Sequence, residues 1–112
     1  MQDLKFQNFI FNENGLNYTV RLGERKYHEL KPGETIGLFP TEEDNHNMKL
    51  ATVRELVKGH YSSIAQFVSD KSNNHTTKTK DGLNGTMKAA YGDSFSLEED
   101  PIVTCIAFEL KN

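Results

Sequence analysis

The sequence predicts a mainly β, α+β fold: a small closed barrel of about six strands with two short helices. Three observations predict it. Tyr18-Thr19-Val20-Arg21-Leu22 alternates residue types with the period of a half-buried strand and is rich in β-formers. The segment Ile102 to Leu110 is apolar on both faces, with Ile102, Thr104, Ile106, Phe108 and Leu110 on one and Val103, Cys105 and Ala107 on the other, as a central strand is. Only two short segments, 63–69 and 83–91, space their apolar residues as helices do.

The elements follow in order. Residues 4–11 carry three phenylalanines and are extended in character. Asn12-Glu13-Asn14-Gly15 then reads as a hairpin turn, because Asn and Gly both tolerate positive φ, and Leu16 to Leu22 is the return strand. Gly23 to Glu29 is polar and reads as a loop over one end of the barrel. Pro32-Gly33 is a turn into the strand 34–39, which Pro40 ends. Residues 41–47 form an acidic turn. Met48 to Val57 is a long strand with a bulge or bend. Tyr61-Ser62-Ser63 offers a cap to the first helix, whose Ile64, Phe67 and Val68 share a face. The stretch 70–82 holds no large apolar residue and reads as a mobile loop. Met87 and Tyr91 share a face of the second helix, and Phe95 and Leu97 pack back onto the barrel.

Residues 1–112 form a single domain on this reading, long enough to bury a core without staples. Apolar content is 36%, so seven Phe and four Tyr must supply much of that core. The net charge of −3 argues against a binder of long duplexes, which needs many phosphate contacts. A single nucleotide, a short single strand or a protein partner fits it better. Cys105 is the one cysteine, which excludes an intrachain disulfide, and it reads as an inert buried thiol in a cytoplasmic protein. His28, His46, His60 and His75 have no ligand spacing, so neither a metal nor another cofactor is expected. No signal pattern and no run of membrane-spanning length is visible, so no membrane partner is expected.

Arg21 is the leading site residue. A guanidinium on a strand can take a phosphate or a base edge with two parallel hydrogen bonds; the plainer alternative is an ion pair with Glu24 or Glu34. Thr19 lies two residues away and shares its face. Asn17 can offer amide hydrogen bonds, Lys26 a phosphate rim, and Tyr91 a stacking face or simply a core aromatic.

The order of these pieces resembles the ASCH domains, small PUA-like β-barrels whose clefts are associated with RNA and modified nucleosides. The resemblance rests on Gly15, the strand ending in Arg21, the turn Lys31-Pro32-Gly33-Glu34, the strand Met48–Val57, a tyrosine-led helix from Tyr61, a helix bearing Tyr91, and the closing strand Val103–Leu110. The run Asn17-Tyr18-Thr19-Val20-Arg21-Leu22-Gly23 looks like that of short ASCH-type proteins of bacteria and their phages. The resemblance implies RNA or modified-nucleotide binding in a cleft near Arg21. One branch of the family hydrolyses an acetylated cytidine with a lysine, a threonine and a glutamate. Thr19 matches the threonine, but the lysine position holds Leu16 or Asn17, neither of which can activate a hydroxyl, and this leans away from an enzyme. For the glutamate, Asp70 and Asp81 are the nearest acidic residues. A third implication is a phage-type module that binds or inhibits a host protein on the same fold.

Overall fold

The strand Ile102–Leu110 organises the others, because it alone buries both faces along most of its length. The structure, a computed structural model, describes residues 2–7, 9–41, 48–71 and 80–111, and of 80 and 81 the backbone alone. In chain order its elements are β1 (Asp3–Phe6), β2 (Asn17–Leu22), α1 (Arg25–Glu29), β3 (Thr35–Pro40), β4 (Lys49–His60), α2 (Tyr61–Lys71), α3 (Lys80–Tyr91), a 3-10 turn (Gly92–Ser94) and β5 (Ile102–Leu110). The five strands form one mixed sheet in the order β1-β3-β4-β5-β2. All pairings are antiparallel except β1 with β3, which is parallel.

Each face of the sheet carries its own core. On one face Val103, Cys105 and Ala107 of β5 meet Ile64, Ala65 and Val68 of α2, Leu83 and Met87 of α3, and Phe95. On the other, Ile106 and Phe108 meet Leu4, Ile36, Leu38, Ala51 and Val53. β4 serves both faces by a bulge. Arg54 is left unpaired between Val53↔Phe108 and Glu55↔Ala107, which shifts the side-chain alternation by one residue. Before the bulge Val53 joins the second core; after it Val57 packs on the first. The Pro32-Gly33 turn is also as predicted: the Lys31 carbonyl accepts the Glu34 N–H at 3.1 Å, and Gly33 has φ +92°, open to glycine.

Five expectations are corrected. The sheet is not closed into a barrel, and the described residues hold five strands rather than six. β1 and β2 are its two edges, so the predicted hairpin between them does not form. The turn over Asn12 to Gly15 exists, but Phe11 folds onto Phe6 and Phe108, and Phe9 onto Phe11, in edge-to-face contacts, which carries the chain away from β2. Residues 25–29, read as loop, form helix α1, supported by the Arg25–Glu29 ion pair (2.9 Å) and the Glu24–His28 contact (3.1 Å) one turn apart. Leu97 does not pack back; it is exposed, whereas Phe95 is buried. The ends of the predicted mobile loop 70–82 are helical instead: 70–71 close α2 and 80–82 open α3, while its centre, 72–79, and residues 42–47 of the acidic turn lie outside the described residues.

The start of α2 is capped from a distance. Asp100 Oδ1 accepts the Ser62 N–H (2.7 Å) and Oδ2 accepts the Ser62 hydroxyl (2.8 Å). Its carbonyl bonds His60 Nδ1 (2.8 Å), and the neighbouring Pro101 carbonyl takes the Tyr61 N–H (2.8 Å). Asp100 adopts φ +44°, a conformation that Asp tolerates better than most residues.

Two measurements check this account. Phe108→Ala empties a fully buried site ringed by Phe6 and Phe11 and is expected to lower unfolding free energy by about 3–5 kcal/mol in denaturant titration. The Ser62 hydrogen bonds hold the Asp100 carboxyl below its usual value. Its contribution is therefore full above the unfolded pKa of about 3.9 and is lost as pH falls through the lower folded value. Asp100→Asn is expected to lower Tm at pH 7 and to narrow the gap between the melting curves at neutral and strongly acidic pH.

Candidate functional site

A flat five-stranded sheet would hold its edge strands roughly 19 Å apart, with side chains standing perpendicular to it. Here the Arg21 guanidinium of β2 lies over the Phe6 ring of β1, with Cζ 4.7 Å from the ring centroid. The sheet is therefore strongly curled, and its two edges come together at one end. Beside this contact lies a cleft of ≈ 640 Å³, within the size range of about 300–1,000 Å³ usual for small-molecule sites. β1 contributes Lys5 and Phe6, β2 contributes Tyr18 to Arg21, and α3 contributes a face of small residues with Met87 and Tyr91.

Arg21 is held in place before any ligand arrives. Its Nε donates to Thr19 Oγ1 at 3.2 Å, and the Phe6 ring supports its plane through a cation–π contact. Its remaining N–H groups have no protein partner among the described residues. The two carboxylates that could have neutralised it are engaged elsewhere. Glu24 contacts His28 Nε2 (3.1 Å) and Lys58 Nζ (3.6 Å), and Glu34 Oε1 accepts the Lys31 N–H. Burial pulls the Arg21 guanidinium below its ordinary pKa, an effect the Tyr91 hydroxyl opposes, and a guanidinium remains charged under such a shift. Lys5 is a second cation at the cleft, and no carboxylate lines it among the described residues.

The residues singled out from sequence divide in two. Thr19, Arg21 and Tyr91 meet at the cleft. Tyr91 reaches it from the end of α3, and its hydroxyl accepts the Leu22 N–H at 3.1 Å. Asn17 and Lys26 are not there. Asn17 is buried, and its amide is fully used by the turn before it: Oδ1 accepts the Asn12 N–H (2.7 Å), and Nδ2 donates to the Asn12 carbonyl (2.9 Å) and the Gly15 carbonyl (3.4 Å). Lys26 sits on α1, with its ammonium 3.4 Å from Glu29. Neither residue is offered to a ligand, because each is satisfied locally.

Sequence reasoning missed Phe6, Lys5 and the α3 face. The signal for α3 was present: Gly82, Gly85, Thr86, Ala89 and Ala90 repeat at helical spacing. Phe6 carried no such signal, because its place opposite Arg21 depends on the parallel pairing of β1 with β3. Burial pushes the Cys105 thiol up to about 12, in keeping with an inert cysteine. Among the described residues no group of three or more His, Cys, Asp or Glu could hold a metal ion, and no helix is long and apolar enough to cross a membrane.

Asn17→Ala tests the structural role. It removes a buried amide and strands the Asn12 backbone groups, so a loss of about 1–3 kcal/mol in unfolding free energy is expected, with ligand affinity of the folded protein unchanged. Compared with known proteins, the chain matches no family model, no curated protein and no solved structure.

Proposed function

We propose that this protein binds RNA or a modified nucleotide in the cleft beside Arg21. The observation that carries the reading is a charged guanidinium braced by Thr19 and Phe6 at the wall of a cleft, with no carboxylate paired to it among the described residues. A fixed, planar cation with free N–H groups suits a phosphate or a base edge. Lys5 adds a second positive charge, while the aromatic and small apolar lining suits a flat ring. The net charge of −3 limits the ligand to a few phosphates, hence a mononucleotide or a short single strand. The resemblance of the sequence to ASCH domains leads to the same place: on that reading, the curled, open sheet is a variant of the PUA-like barrel whose gap is the binding cleft.

The arrangement favours binding over N-acyl hydrolysis. The Thr19 hydroxyl receives a hydrogen bond from Arg21, and a guanidinium cannot accept a proton from a nucleophile. The described lining offers no carboxylate to do so in its place. A host-protein partner has no particular feature of the cleft in its favour.

Calorimetric titration with short RNAs and nucleoside 5′-monophosphates tests the reading. Arg21→Ala is expected to weaken binding about 10- to 100-fold, the value of a charge-assisted contact. Lys26→Ala, on α1, is expected to leave affinity unchanged. Absence of binding by the unaltered protein, or equal affinity of Arg21→Ala, overturns the proposal.

A further inference from the structure

The open edge of β2 carries hydrogen-bonding groups that the fold leaves without partners. In the antiparallel pairing of β2 with β5, residues 17, 19 and 21 lie opposite 108, 106 and 104, and the ladder continues with the Gly23 N–H bonded to the Ile102 carbonyl at 2.8 Å. The odd-numbered residues therefore turn their main-chain groups towards β5. The even-numbered ones turn theirs away, and Leu22 shows it, since its N–H is taken by the Tyr91 hydroxyl across the edge. Tyr18 and Val20 face the same way. Both line the cleft, and both are more than nine-tenths buried, at 8% and 7% exposure. Among the described residues nothing bonds their outward N–H and C=O groups. Buried backbone groups left in this state are costly and are nearly always satisfied by something.

We infer that the main-chain N–H and C=O of Val20, unpartnered beside Arg21 at the cleft, read the donor–acceptor edge of a nucleobase. This deepens the nucleotide reading and rests on it. One residue of an open strand presents a donor and an acceptor side by side in one plane. The Watson–Crick edge of a nucleobase presents an acceptor and a donor in the complementary order, so one base closes both bonds. The same cleft supplies the rest: Arg21 and Lys5 for the phosphate, and the small residues Gly85 and Ala89 of its lining, which leave room for the ring. An added peptide strand would use the same groups, but the open run is only Tyr18 and Val20 before Tyr91 blocks Leu22. A strand seeks a longer edge and gains nothing from Arg21 and Lys5.

The experiment compares the four nucleoside 5′-monophosphates, then the tightest of them with its counterpart methylated on the Watson–Crick edge (N3 of a pyrimidine, N1 of a purine). Amide exchange of Val20 is followed by NMR in each case. The methylated nucleotide is expected to bind about tenfold or more weakly, the value of one lost buried hydrogen bond. The unmethylated one is expected to slow exchange at Val20 by a similar factor, leaving Thr19 and Arg21, already in the ladder, unchanged. Equal binding of both nucleotides with Val20 exchange unaltered overturns this inference while Arg21-dependent binding keeps the nucleotide reading. No binding of any nucleotide removes both. Protection of Tyr18 and Val20 by extended peptides but not by nucleotides assigns the edge to a strand and overturns the inference.

Discussion

The contact on which the site depends is the one between Arg21 and Phe6, side chains from strands at opposite edges of the sheet. It marks how far the sheet has curled. An open sheet has two rows of unpaired backbone groups, and proteins usually cover them, charge them or pair them. Here the edges are brought face to face and stop short of pairing, so the gap becomes a lined cleft rather than a seam. A cation over an aromatic ring suits that junction, because it holds the edges near each other while leaving most of the guanidinium's donors unused.

The curl has its own causes in the chain. The bulge at Arg54 bends β4 and lets it feed both cores. The aromatic cluster of Phe6, Phe9, Phe11 and Phe108 fills the inside of the bend, where Phe108 projects from the central strand. On the outer face α2 and α3 pack against β5 and β2 through Val68, Met87 and Cys105. Tyr91 then ties the end of α3 to the edge of β2, which fixes one wall of the cleft to the other.

Much of this was legible from local pattern. The two-faced apolar character of β5, the strand ending at Arg21, the Pro32-Gly33 turn, the bulged strand β4 and both longer helices all follow from periodicity and turn chemistry. So did the meeting of Thr19, Arg21 and Tyr91, on the strength of shared strand face and family resemblance. What escaped depends on long-range pairing. Asn14-Gly15 signals a tight turn, but not which strand follows whom in the sheet; the parallel seat of β1 beside β3 was set by where Phe6 and Leu4 could be buried. α1 was missed because none of its five residues is buried, so it shows no apolar periodicity and is held mainly by charge pairs between its own polar side chains. Asn17 was misread because an amide two residues after a glycine turn serves the turn as readily as a ligand.

The distant cap on α2 has a consequence for how the chain comes together during synthesis. The Tyr61 N–H finds its partner only at Pro101, the Ser62 N–H and hydroxyl find theirs only at Asp100, and β2 and β4 find their shared neighbour only in the strand that follows. Until that segment leaves the ribosome, β2 waits without a mate, β4 is paired on the β3 side alone, and α2 waits without its first turn secured. Up to that point the apolar faces that β5 covers stay open to water, and the two cores gain their cooperativity only once β5 is in place between β4 and β2.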